Sequence, residues 1–315
     1  MVRMLKRYFF VIITIFLFIF MLLFPQPVFN GAKKGLLLWF QTVLPSLLPF
    51  LIIVNLLLQT NVIRHISRFL YPIFGPTLGI GRNGCFAVLA GFLCGYPMGA
   101  KVTADLVELG KITKREGAYL LSFCNNTSPG FVAGFVVCQA LGRPDLVLPS
   151  LCILFLVPLF LSMFFRLFYQ PWKAREVTSK SESSYATFRL EIIDEAIMDG
   201  FETITKIGGY IILFSVLLSL ALLLPIRHPL WKNGFLPLLE ITNGVVMAAD
   251  SSLPFACRYA FLMGLCAFGG FCAAAQTNCM IAKSGLPLFP YIIEKLAAAL
   301  AASLAAYCYF TIFCM

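Results

Sequence analysis

The 315-residue chain is 60% hydrophobic and only 12% charged, with a mean hydropathy of +0.90, whereas soluble domains carry about 25% charged residues. Its net charge is +10, but the Lys and Arg residues gather in short loops beside apolar runs, a pattern that orients membrane helices rather than one that binds nucleic acid. The eleven Cys residues form no C-x-x-C pair and lie mostly in apolar segments, so neither a disulfide framework nor a metal site is expected, and no cofactor is implied.

Apolar runs at residues 9–24, 35–58, 131–141, 146–168, 208–224 and 296–313 are continuous. A membrane β-barrel would alternate instead. The expected fold class is therefore all-α, a polytopic membrane protein. At the start, Arg3, Lys6 and Arg7 precede residues 8–24 without a small-x-small cleavage site, and Pro25-Gln26-Pro27 follows. An uncleaved first helix is expected within residues 1–30. A first membrane repeat is then expected over 31–170, a polar, cytoplasmic linker over 171–199, and a second membrane repeat over 200–315. Residues 188–204 carry apolar positions near helical spacing.

Two polar stretches interrupt apolar helix in the first half. In residues 84–109, Gly95-Tyr96-Pro97 ends one limb, because Gly95 permits positive φ and Pro97 suits the first turn of a new helix. Lys101 lies in that new first turn, whose backbone N–H groups lack helical partners and favour anions. In residues 123–130, Asn125, Asn126, Thr127 and Ser128 are helix-capping types ahead of Pro129. If the two breaks meet, two positive helix ends converge on an anionic or zwitterionic solute. The same residue types also serve merely to hold membrane helices together.

The second half offers Glu240, Thr242 and Asn243, then Gly269, Gly270 and Gln276. Glu240 sits between apolar stretches, where an acid can couple transport to protons or cations. It can equally be an acid at the membrane surface, or one paired with Lys101 or Lys206. Gly95 precedes Lys101 by six residues, and Gly270 precedes Gln276 by the same step. This suggests two weakly similar halves, inverted if residues 84–109 re-enter rather than span. The re-entrant arrangement puts most Lys and Arg on one side, in keeping with the positive-inside rule. No G-x-S-x-G, H-E-x-x-H or phosphate loop is present, so catalysis is not expected.

The motifs G-Y-P-M-G-A-K (95–101), F-C-N-N-T-S-P-G (123–130), L-L-E-I-T-N-G (238–244) and F-G-G-F…Q (268–276) resemble the YlbJ-type sporulation integral membrane proteins. These lie within the nucleoside-recognition, or Gate, group. The resemblance covers about residues 36–306. It implies a multi-pass cell-membrane protein of sporulating cells, located in the outer forespore membrane, and a small anionic solute, dipicolinate, as cargo. Nucleoside carriage and a non-transporting role in spore assembly are the alternatives. By resemblance, Gly95, Pro97, Lys101, Asn125, Thr127, Glu240, Asn243, Gly270 and Gln276 match the family motifs. Asn126 departs from them, standing where Thr or Ser is expected. The lipid bilayer is the one further partner implied; a homo-oligomer is compatible with the sequence.

Overall fold

The computed structural model describes residues 2–60, 62–170, 190–226 and 228–314. Every regular element among them is helical, as a chain that must satisfy its backbone in lipid requires. Of the linker expected at 171–199, residues 171–189 lie outside the described residues, and residues 190–199 are not linker but the first turns of a long helix.

Helix α1 (Val2–Leu23) leads into α2 (Pro25–Leu38), with Pro25 at the first helical position. A π-helical turn, Trp39–Val43, joins α2 to α3 (Leu44–Gln59), making one continuous helix of 35 residues. Helix α4 (Val62–Leu78) meets α5 (Arg82–Cys94) at a bend of 92°. Gly81 N–H holds that bend by donating to Glu116 Oε1 at 2.6 Å.

After α5 come α6 (Met98–Glu108), α7 (Lys114–Cys124), a π-helical limb Phe131–Ala140 and α8 (Val147–Tyr169). The second half contains α9 (Leu190–Ala221), a short limb Trp231–Phe235 and Leu236–Leu238, α10 (Ile241–Ala249), α11 (Phe255–Phe268), α12 (Gly270–Ile281) and α13 (Leu288–Phe313). Among the described residues five helical stretches are long and apolar enough to cross a membrane: Pro25–Gln59, Pro144–Tyr169, Leu190–Ala221, Phe255–Ile281 and Leu288–Phe313.

Helices α5 and α6 fold back on each other. A Cβ on Gly91 would lie 3.1 Å from Gly99 Cα. In one straight helix those residues would stand about 12 Å apart. At the other end of the pair, Asn83 Nδ2 donates to Lys111 O at 3.0 Å. Residues 82–108 are thus a hairpin with both ends on one face, a shape compatible with the re-entrant expectation for residues 84–109. A second, shorter hairpin forms around Glu240, where a Cβ on Gly244 would lie 2.1 Å from Pro237 O.

The α7 limb and the π-helical limb instead run end to end. Helix α8 packs along both, with Ser162 O accepting from Tyr119 OH at 3.2 Å and Leu154 clustering with Val132 and Val136. Helix α13 lines α11 and α12 in the same way, stacking Phe310 near Phe255 and bringing Tyr291 to Thr277. Each half therefore has a long helix, a hairpin, a broken span and a long helix, in that order. α4 is extra in the first.

The leading long helices are antiparallel. Gly31 and Gly35 admit the backbone and side chain of Ser215, Trp39 covers Gly208, and Asn55 Nδ2 donates to Ala196 O at 3.3 Å. Small residues let these backbones approach closely, the usual device where lipid supplies no hydrophobic drive between helices. The Gly95 break thus faces the Glu240 break in element order, and the 125–130 break faces Gly269–Gly270. That differs from the glycine-motif alignment, which pairs Gly95 with Gly270. The two motifs share composition but occupy a hairpin tip and a span centre.

Candidate functional site

The four breaks lie together. A Cβ on Gly95 would meet Ser128 N at 2.8 Å, and one on Gly99 would meet Cys124 O at 2.4 Å. The first hairpin tip therefore rests on the first broken span. In the second half, a Cβ on Gly270 would lie 2.8 Å from Leu238 O, so that hairpin tip also rests on its own broken span. Gly269, with φ +85°, ends α11 in a left-handed turn no side chain favours. It sits 14 residues into a 27-residue helical stretch that is long enough to cross a bilayer.

Side chains then cross between the halves and satisfy the carbonyls that the breaks free. Tyr96 OH donates to Ala267 O at 2.8 Å, and Thr127 Oγ1 donates to Cys266 O at 2.6 Å. Asn125 is fully engaged: Oδ1 accepts from Ala100 N at 3.3 Å, while Nδ2 donates to Thr277 Oγ1 at 3.0 Å and Tyr291 OH at 2.9 Å. Lys295, only 1% exposed, donates to Asn125 O at 2.9 Å and Asn126 Oδ1 at 3.0 Å, and its Nζ stands 5.1 Å from the centre of the Tyr96 ring. An unpaired carbonyl in so dry a place would cost about 1–3 kcal/mol.

Beside this knot lies a cavity of about 120 Å³. A single water needs only about 10–15 Å³ by the same measure, so the space suits a small organic solute. Of the residues singled out in the sequence, Gly95, Tyr96, Thr127, Ser128, Glu240, Thr242 and Gln276 line it. Thr42, Ser46, Phe131, Ile207, Ile211 and Cys272 complete much of the wall. Glu240 is the one charged lining residue among those described. Both of its oxygens are held, Oε1 by Thr242 N at 3.0 Å and Oε2 by Asn243 N at 2.8 Å and Asn243 Nδ2 at 2.7 Å. The acid thereby caps α10, where negative charge meets the positive end of the helix.

The other singled-out residues stand apart from the cavity wall. Pro97, Asn125, Asn126, Asn243, Gly269 and Gly270 shape the breaks behind it. Lys101 is 7% exposed and bridges Asp105 Oδ2 and Asp199 Oδ2, both at 3.1 Å. The expected first-turn anion site at α6 is thus occupied by the protein itself, through Asn125 Oδ1 on Ala100 N. Lys206 pairs with Glu202 on its own helix, leaving Glu240 to backbone and amide donors.

Lys295 and Tyr291 were not singled out from the sequence, and neither were Thr42 and Ser46. A signal for Lys295 exists: Pro287 sits just ahead of α13, and a helix started there carries Glu294 and Lys295 two turns inside an otherwise uncharged run. Ionisable residues at such depth mark function.

Comparison with known proteins bears out the motif resemblance. Residues 40–169 match the Gate family, described as nucleoside recognition. Those residues run from the π-helical turn after α2 to the end of α8, and they contribute the first hairpin and the first broken span to the site. Over 305 residues the chain is 27% identical to the sporulation integral membrane protein YlbJ of Bacillus subtilis, covering 86% of this chain and 75% of that one. No solved structure matches the chain.

Proposed function

We propose that this Gate-containing membrane protein is a carrier that moves a small organic solute across a membrane of a sporulating cell, binding it in the cavity between its two halves. The observation that carries this reading is the meeting of four helix breaks around one cavity at mid-span. Irregular backbone at that depth is tolerated where it lines a site, and paired broken helices near the midplane are how many carriers build one. The antiparallel leading helices and the repeated element order support two inverted repeats, which could rock about the site to expose it alternately. Binding and release suffice for this role; no bond is made or broken.

The solute nominated by the resemblance is dipicolinate, and the membrane is the outer forespore membrane. A pyridine dicarboxylate would meet the hydroxyl of Ser128, the amide of Gln276 and the ring of Phe131, all on the cavity wall. Glu240 shares the cavity with those carboxylates, so this cargo requires an accompanying proton or cation. An uncharged nucleoside is the second reading. It is favoured by Glu240 itself, an acceptor suited to sugar hydroxyls, and by the absence of Lys and Arg from the described cavity wall.

Vesicles holding the purified protein decide between them. Uptake of labelled dipicolinate, reduced about tenfold by Gln276→Ala through one lost hydrogen bond, is the expected result. Uptake of uridine but not dipicolinate would install the nucleoside reading. Normal dipicolinate content in spores that express only a Ser128→Ala, Gln276→Ala variant would point to the non-transporting role.

A further inference from the structure

The buried face of α13 holds a third polar residue besides Tyr291 and Lys295. Glu294 is 8% exposed, in a helix long and apolar enough to cross a membrane. Its Oε1 accepts from Tyr169 OH at 2.6 Å. Its Oε2 is buried and has no hydrogen-bond partner among the described residues. Neither oxygen lies in an ion pair there.

Such a group is unusual. Glu240, a buried carboxylate of the other break, accepts three hydrogen bonds across its two oxygens. An ionised Glu294 would hold its charge in a dry place on one hydrogen bond. Isolated buried charge is costly enough that such groups pair, bind a cation or take up a proton. The surroundings narrow the choice. From α8, Tyr169 faces it with a hydroxyl. From α7, Arg115 reaches the backbone carbonyl of Tyr169 rather than the acid. On its own helix, Tyr291 is turned to Asn125 and Thr277, and Lys295 to Asn125 and Asn126. α12 contributes Thr277 to this region. One carboxyl and one phenol provide too few oxygens for a metal cation, which takes four to eight ligands. A proton needs only one.

Glu294 also sits where a proton could influence the carrier. Tyr291 and Lys295, on the same face of α13, hold the α7 break that shapes the cavity. Any shift of α13 against α8 that separates Glu294 from Tyr169 is felt at that break.

We propose that Glu294 is a proton-binding site of the carrier, which takes a proton onto Oε2 in this arrangement and gives it up to water when α13 moves away from Tyr169. The balance is simple: one O–H bond forms at Oε2 with a proton from water, and the same bond breaks on release. The proposal rests on the carrier reading, and its test separates the two.

Infrared spectra of the whole protein in lipid vesicles, taken in H₂O and D₂O at neutral pH, read the carboxyl directly. The wild type is expected to show a deuterium-sensitive protonated-carboxyl band that Glu294→Gln removes. Glu294→Gln mimics the protonated form and retains an acceptor for Tyr169, so folding should survive; Tyr169→Phe, which should shift the band without removing it, serves as the second variant. A Glu294→Gln spectrum identical to that of the wild type would overturn the proposal, whatever the cargo. In the same vesicles, uptake of dipicolinate and of uridine is followed with and without an imposed pH gradient. Whichever is carried should lose its dependence on the gradient in Glu294→Gln while exchange across equal pH continues. Gradient dependence that survives the substitution would also overturn the proposal. If neither compound enters wild-type vesicles, it is the carrier reading that fails, and the infrared band still decides the proton site.

Discussion

At the scale of single residues, the site is held by groups that have no slack. Gly91 is the clearest. A Cβ there would lie 1.7 Å from the backbone carbonyl oxygen of Cys124, which no rotamer change can relieve. Gly91→Ala should therefore cost more than the roughly 1–3 kcal/mol of ordinary overpacking and abolish the folded species on size-exclusion chromatography. Gly134→Ala, with nothing within 4 Å of the added carbon, should be tolerated or mildly stabilising, as Ala is the better helix former. Equal behaviour of the two variants would reject the close contact between hairpin and broken span. Lys295 invites a second substitution. Lys295→Met keeps the apolar stem but strands Asn125 O and Asn126 Oδ1, at a cost of about 1–3 kcal/mol. A clear fall in melting temperature should follow, and an unchanged one would mean those oxygens find other donors.

At the scale of elements, the hairpin of α5 and α6 makes a prediction about sidedness. Arg82 and Glu108 are exposed at its two ends. In a variant freed of its native thiols, cysteines at these two positions should react with a membrane-impermeant reagent from the same side of the vesicle. Labelling from opposite sides would mean that residues 82–108 cross the membrane. The hairpin was legible in the sequence because Gly95 and Pro97 announce a break and neither limb is long enough to span. The 125–130 break was legible for similar reasons, through a run of capping residues. The role of α13 was not. Its charged pair looks like the edge of an apolar run, and only packing reveals that residues 291, 294 and 295 all turn inward. Lys101 is the opposite case. Its place in a first turn suggested an anion, but sequence spacing could not show that Asp199, nearly a hundred residues later, would come to it.

At the scale of the whole molecule, the Lys101–Asp199 pair joins the first hairpin to the leading helix of the other half. Asp199 has a side chain 46% exposed, so the pair is worth no more than about 1 kcal/mol. Asp199→Asn should leave the melting temperature nearly unchanged while speeding the reaction of a cysteine placed at Gln276 with a thiol reagent supplied from the face that bears Asp199. An unaltered labelling rate would show that this contact does not hold the cavity closed. Composition alone revealed the class, all-α and membrane-embedded, because a 60% hydrophobic chain has few other options. The element order of each half needed the structure, since glycine motifs recur by chance in so narrow an alphabet and only element order tells a hairpin tip from a span centre.

The bonds from Tyr96 to Ala267 and from Thr127 to Cys266 have a mechanical consequence. Each side chain from one half finishes a helix of the other, so pulling the halves straight apart would bare two carbonyls in the driest part of the protein. Motion that keeps those bonds intact must pivot around them, with displacement growing toward the rims as in a pair of shears. The centre is then a fulcrum and the rims are where opening is felt. A weak, half-wet ion pair is suited to a rim, because it can be broken and remade without disturbing the bonds on which the blades turn.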